Sequence, residues 1–168
     1  MELSVAEALK QVGEPFRFDL NELVSPLQYG GRTLVFAGPL QVSGVYSFDG
    51  KAFHVEARAE TVLKAVCARC NLPFEEPYAF GIDERFVKAS EIGEEDDEVY
   101  PYLGDRLDLS KAVMDNLFLQ LPLISVCKPD CKGLCPICGA DRNTHPCNCQ
   151  PNDAENPFSV LSALKDEE

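Results

Sequence analysis

The sequence predicts an α+β fold: an antiparallel β-meander or partly open barrel covered by helices, with a C-terminal cysteine-rich module. Three observations carry this reading. Between positions 33 and 87, apolar and polar residues alternate in three successive runs, the period of half-buried strands. Leu109, Val113, Leu117 and Leu121 recur every fourth residue, the stripe of an amphipathic helix. Six of the eight cysteines fall in close pairs between Cys127 and Cys149.

Taken in order, Ser4 and Glu7 form the S-x-x-E pattern of a capping box, which predicts a short helix over Val5 to Gln11, ended by Gly13. A strand is expected around Phe16 to Leu20, followed by a loop with Pro26, Gly30 and Gly31. Leu40, Val42, Gly44, Tyr46 and Phe48 then alternate with Gln41, Ser43 and Ser47. Asp49-Gly50 is the favoured two-residue hairpin turn. The return strand sets Phe53, Val55, Ala57, Ala59, Leu63 and Ala65 against His54, Glu56, Arg58, Glu60 and Lys64. A third run places Phe74, Tyr78, Phe80, Ile82 and Phe86 on one face, and Pro77, which cannot donate to a ladder, marks an edge or bulged strand. Cys67 and Cys70 sit at the turn between the second and third runs.

Glu91 to Glu98 holds six acidic residues in eight, a solvated loop or an acidic patch for a basic partner. Asp108, Leu109 and Ser110 offer capping chemistry for the predicted helix. Ala112 and Phe118 widen its stripe, and it should cover the sheet and end before Pro122. Asn156-Pro157 opens a terminal helix with Phe158, Leu161 and Leu164 on its apolar face. The domain reading is therefore a body over 1–125, a metal module over 126–150, and a helix over 151–168 packing back on the body.

At 168 residues and 45% apolar content, one domain with a real core and a small appended module is expected. No run of 18 apolar residues occurs, so no membrane span is expected. The start, MELSVAEALK, lacks a signal-peptide layout, which favours a cytoplasmic protein with reduced thiols. Fifteen basic against 28 acidic residues give a formal charge of −13. Two zinc ions on eight thiolates would take this to about −17. That balance argues against a general nucleic-acid binder, since such binding rests on phosphate neutralisation. A local basic patch or a basic protein partner remains.

The cysteine spacing is Cys67-x2-Cys70, Cys127-x3-Cys131, Cys135-x2-Cys138 and Cys147-x-Cys149. Two such pairs complete a tetrahedron around zinc. Cys135, Cys138, Cys147 and Cys149 can close a local site, and CPICGA resembles a zinc knuckle. Cys67 and Cys70 would then join Cys127 and Cys131 in a long-range site pinning the cysteine-rich segment to the hairpin. The swapped pairing, with Cys67 and Cys70 beside Cys135 and Cys138, carries a larger loop-closure cost and stays open. His145 could replace one thiolate, though four cysteines suffice, and His54 reads as a solvated histidine.

Catalytic zinc keeps an open position and often uses histidine or carboxylate ligands, whereas eight thiolates with two histidines suit two closed structural sites. No GxSxG, HExxH, P-loop or dinucleotide fingerprint is present, and no small-molecule substrate is evident. A non-enzymatic role is expected. Redox chemistry competes, because CxxC and CxC motifs also occur in redox-switched zinc chaperones. An iron–sulfur cluster uses cysteine runs unlike these.

The CARCNLPF segment, the CKGLCPICGADRN…CNC block and the closing NPFSVLSALK together resemble the bacterial YceD family, over nearly the whole chain. The resemblance implies a cytoplasmic, non-enzymatic factor in the synthesis, processing or stability of large-subunit ribosomal RNA. The positions that carry it are Cys67, Cys70, Cys127, Cys131, Cys135, Cys138, Cys147 and Cys149, with Asn143 as a turn residue beside them. Some family members lack the CPICG…CNC block, which makes it an elaboration of a common body.

Two contact modes follow. Direct RNA contact would use Lys51, Arg58, Lys64 and Arg69 near the hairpin with Lys128, Lys132 and Arg142 around the metal sites. An adaptor holding a basic ribosome-assembly protein would use the acidic segment instead. The reading leans to an adaptor with some local RNA contact, in ribosome biogenesis.

Overall fold

Alternation in the sequence becomes a mostly antiparallel open sheet in the computed structural model, which describes residues 1–93 and 99–150. The described residues divide into two units: Met1–Ala65 with Pro73–Ser125, and Val66–Leu72 with the segment from Val126 onward.

In the first unit, β1 (Glu2–Ser4), β2 (Phe16–Glu22), β3 (Leu27–Tyr29), β4 (Arg32–Phe36) and β5 (Leu40–Phe48) precede the two long strands β6 (Ala52–Val66) and β7 (Pro73–Lys88). Short strands β8 (Tyr100–Tyr102) and β9 (Arg106–Asp108) then lead into helix α1 (Ser110–Gln120). The main sheet runs β2-β5-β6-β4-β3, with β7 paired to β6 and β8. The β5–β6 ladder is antiparallel from Gln41↔Glu60 to Phe48↔Phe53. β1 and β9 form a separate antiparallel pair.

The predicted hairpin turn is wider than two residues. β5 ends at Phe48 and β6 begins at Ala52, so three residues form the connection, with the Asp49 amide donating to the Ala52 carbonyl at 3.1 Å. The Asp49 carboxylate explains this: its Oδ1 accepts the amides of Lys51 and Ala52, at 2.8 and 2.7 Å. His54 Nε2 lies 3.0 Å from Asp49 Oδ2, so this half-exposed histidine has a side-chain partner.

The N-terminal helix is also corrected. Only a 3-10 turn over Ala8–Lys10 forms, with no side-chain cap. Ser4 cannot cap it, because Ser4 is spent in β1, opposite Arg106. Several helices were expected to cover the sheet; among the described residues there is one α-helix, and the expected terminal helix at 156–165 lies outside them.

That one helix behaves as its stripe predicts. Asp108 Oδ1 accepts the Ser110 amide at 2.9 Å at the entry to the helix, whose N-cap residue, Leu109, makes no side-chain cap. Leu109, Ala112, Val113 and Leu117 are buried, and the backbone leaves the helix at Leu121, before Pro122. The helix is tied to β7 by polar bonds as well. Gln120 Nε2 donates to the Gly81 carbonyl at 2.8 Å, and its Oε1 accepts the Gly81 amide at 3.2 Å.

The core of this unit is aromatic and aliphatic. Fully buried Phe53 packs against Phe48 at 4.8 Å and edge-on against Tyr102 at 5.1 Å. Leu40, Val42, Val55, Phe86, Leu107 and Leu117 complete it. β7 meets β8 at Phe86, Val87 and Lys88, and its other partner is β6.

Gly44 is required by a close approach. A Cβ there would overlap the Glu56 carbonyl oxygen and the Ala57 backbone on the neighbouring strand. Gly44→Ala should therefore lower stability by about 2 kcal/mol through overpacking against backbone that cannot yield. Thermal denaturation checks this, and an unchanged midpoint would contradict it.

Candidate metal centres

The second unit inverts the usual relation between burial and hydrophobicity. Cys67, Cys70, Cys131 and Cys135 are buried, while Val66, Leu72, Leu134 and Ile137 are 56%, 51%, 40% and 55% exposed. Among its described residues, the buried side chains are sulfur.

Those sulfurs gather into two groups of four. Cys67, Cys70, Cys127 and Cys131 form centre 1; Cys135, Cys138, Cys147 and Cys149 form centre 2. In each, the ligand atoms lie within 4.8 Å of one another. The swapped pairing is not the one found. In centre 1, Cys67 Sγ is 3.8 Å from Cys131 Sγ, and Cys70 Sγ is 3.7 Å from Cys127 Sγ. A disulfide needs about 2.05 Å. A zinc tetrahedron with Zn–S bonds of about 2.3 Å has edges of about 3.8 Å. The residues present fit a closed, four-thiolate zinc site.

Each centre is built on the same turn. In the first, the Asn71 amide donates to the Cys67 carbonyl at 2.8 Å, and the Cys67 amide to the Leu72 carbonyl at 2.9 Å. In the second, the Gly139 amide donates to the Cys135 carbonyl at 2.9 Å, and the Cys135 amide to the Ala140 carbonyl at 2.8 Å. The residue after the second cysteine must be left-handed in both: Asn71 has φ 59° and Gly139 φ 73°. CPICGA is legible as a knuckle from its glycine. CARCNL is its twin, and the missed signal is that asparagine tolerates the left-handed region better than other non-glycine residues.

These turns aim amides at sulfur. The Cys67 thiol is held down at about 6, chiefly by the Cys127 backbone N–H, with those of Cys70 and Arg69 acting against burial. The Cys135 thiol is likewise held at about 6 by the amides of Cys138 and Ile137. Their neighbours move the other way. Cys127 is pushed up to about 12 by burial and then by the adjacent thiols, and Cys149 to about 12 first by the Cys138 and Cys147 thiols. Each group favours the thiolate at one cysteine, Cys67 or Cys135, and resists it at others, Cys70 and Cys127 or Cys147 and Cys149. A divalent cation reverses that preference, because coordinating thiols deprotonate outright.

Arg69 braces centre 1. Its Nη1 donates to the carbonyls of Pro129 and Cys131 at 3.2 and 3.1 Å. The Arg69 carbonyl accepts the Leu134 amide at 2.9 Å, beside Gly133, where a Cβ would come within 2.8 Å of that oxygen. Lys128, Lys132 and Arg142 share this unit and are exposed; Lys128 lies 4.0 Å from Asp130. Lys51, Arg58 and Lys64 belong to the first unit and are exposed, with Arg58 paired to Glu60 at 2.7 Å. His145 Nδ1 lies 2.9 Å from Thr144 Oγ1, outside both sulfur groups. Of the acidic segment, 94–98 lie outside the described residues. No helix of the described residues is long and apolar enough to cross a membrane.

Zinc retention should depend on pH with a definite sign. At neutral pH the metal-free groups keep protons on Cys127 and Cys149, and the metal-bound groups do not. Binding thus releases protons, so affinity rises with pH, by about tenfold per unit for each proton released per site. Below about 6, Cys67 and Cys135 also protonate, and the loss steepens. Competition with a chromophoric chelator across this range should show that slope; a pH-independent affinity would contradict it.

A family model described as "Large ribosomal RNA subunit accumulation protein YceD" matches residues 55–165. An uncharacterized protein of Mycobacterium tuberculosis is 36% identical over 83 residues, covering 48% of this chain and 40% of that protein. Two plant proteins are both named large ribosomal RNA subunit accumulation protein YCED homolog 1, chloroplastic. The one from Zea mays is 40% identical over 67 residues, 39% of this chain and 22% of that protein. The one from Arabidopsis thaliana is 25% identical over 158 residues, 77% of this chain and 49% of that protein. The chain thus spans less than half the length of each of these relatives. No solved structure matches it.

Proposed function

The chain belongs to the YceD family, and on that premise we propose that it is a non-enzymatic, zinc-stabilised factor in the accumulation of large-subunit ribosomal RNA. The plant relatives' names support the pathway. The observation that carries the zinc reading is the burial of the second unit's described residues, where Cys67, Cys70, Cys131 and Cys135 are buried while Val66, Leu72, Leu134 and Ile137 are exposed. Among the described residues of that unit no aliphatic side chain is buried, and a structural metal would supply free energy of folding there. Four thiolates per centre fill a tetrahedron, so neither centre offers an open position for substrate or water. Zinc here organises a surface.

Charge supports the choice of partner. The whole chain carries −13, or about −17 with two zinc ions on eight thiolates, whereas in the described part of the second unit Arg69, Lys128, Lys132 and Arg142 stand against Asp130 and Asp141, which with both zinc centres leaves about −2. The acidic body suits a basic ribosome-assembly protein, and the less acidic zinc unit suits local contact with large-subunit RNA. Both are consistent with an adaptor acting in the cytoplasm or a plastid.

Removing the chain from cells should lower large-subunit ribosomal RNA relative to small-subunit RNA. Complementation with a Cys67→Ser/Cys135→Ser variant should restore that ratio only poorly, whereas the wild-type chain restores it. Quantifying both RNAs checks this, and an unchanged ratio on removal would contradict the proposed role. Affinity capture at increasing salt separates the two contact modes, since loss of RNA with salt marks phosphate contact.

A further inference from the structure

Asn143 lies in the chain between Cys138 and Cys147, the two halves of centre 2. Its side chain nevertheless serves centre 1. The Nδ2 group lies 3.5 Å from Cys131 Sγ, and Oδ1 accepts the Lys132 amide at 2.9 Å. Asp141 Oδ1 fixes the orientation, accepting Asn143 Nδ2 at 2.6 Å and the Asn143 amide at 3.0 Å. Flipping the side chain would set oxygen against sulfur and nitrogen against an amide, so the donor on Cys131 follows from the surrounding bonds. The same loop grips centre 1's strand again through the Arg142 amide, 3.0 Å from the Gly133 carbonyl.

Asp141, which orients the Asn143 amide, lies on a loop whose ends are ligands of centre 2, while the Lys132 amide anchors Oδ1 from the side of centre 1. An N–H donor to a metal thiolate spreads its charge and orients it, and loss of such a partner typically weakens metal binding by about 10- to 100-fold. The loop is also held by the Leu134–Asp141 bridge and the Arg142–Gly133 bond, while metal on Cys135, Cys138, Cys147 and Cys149 would tie both its ends, so losing that metal loosens the frame that aims the Asn143 amide. Resting on the zinc reading above, we propose that Asn143 couples the two centres, so that metal at centre 2 tightens metal at centre 1. By linkage the coupling is reciprocal: metal at centre 1 tightens centre 2 by the same factor.

The test is zinc release from the full chain to a chromophoric chelator, with native mass spectrometry reading the metal count over time. Asn143→Ala should speed release of one zinc by roughly tenfold. Asn143→Asp keeps the acceptor for the Lys132 amide and loses the donor to sulfur, so it should release as fast as Asn143→Ala. Cys138→Ser/Cys149→Ser leaves only centre 1 able to hold zinc tightly. In that background release should already be fast, and Asn143→Ala should add less than about twofold, the non-additivity expected of one shared interaction. Far-UV circular dichroism confirms that each variant keeps its sheet, and Asn143→Asp serves where Asn143→Ala does not fold.

Wild-type release from Asn143→Asp would overturn the proposal, as would equal acceleration by Asn143→Ala in both backgrounds. Either result with two zinc ions bound leaves the zinc reading standing. A wild-type chain that binds no zinc overturns both.

Discussion

Four thiol sulfurs within 4.8 Å of one another are a poor place to keep four negative charges and, without a metal, a poor substitute for a hydrophobic core. Both facts bear on residues 66–72 and 126–150. Cys67 and Cys135 are each helped toward the thiolate by backbone amides, while Cys127 is pushed away from it by burial and then its neighbours, and Cys149 by its neighbours first. Val66, Leu72, Leu134 and Ile137 meanwhile face solvent. A divalent cation would resolve the conflict, making four thiolates favourable and tying the 66–72 segment to the one that follows 126. The knuckle turns, the Arg69 brace and the Asn143 bridge are all arranged around sulfur, and all lose their purpose without that cation.

The first unit stands on different ground. Its strands are held by a ladder from Phe48 to Gln41, an aromatic cluster around Phe53, and a helix whose Leu109, Val113 and Leu117 are buried. None of this needs metal. The turn that carries Cys67 and Cys70 continues directly from β6 into β7, so the sheet delivers one knuckle to centre 1 by chain connectivity alone. A rigid pair of strands is a good mount for a ligand pair whose partners, Cys127 and Cys131, arrive from about 60 residues later.

What the sequence made legible divides along the same line. Periodic features were readable because they are local: the β5 and β6 alternation, the α1 stripe and the paired cysteines each state their period within one element. Long-range pairing was not. Ser4 reads as a helix cap, yet it is claimed by a strand partner, Arg106, from the far side of the chain. Likewise the parallel β7–β8 pairing of Phe86 with Tyr100 has no local signature. Asp49-Gly50 reads as a tight turn, but the carboxylate reaches two amides and widens it. At the centres, the ligands were readable from spacing, while Asn71, Arg69 and Asn143 were not, because their roles depend on left-handed backbone and on contacts across the two sulfur groups.

The most direct test of the central claim is hydrogen exchange on the full chain with and without a strong chelator. If metal is the core of the second unit, chelation should strip protection from the amides of Asn71, Leu134, Cys135 and Gly139, while the amides of Val42 to Phe48 and Val55 to Ala59 stay protected. Protection at those four amides that survives removal of every bound metal ion would contradict the account.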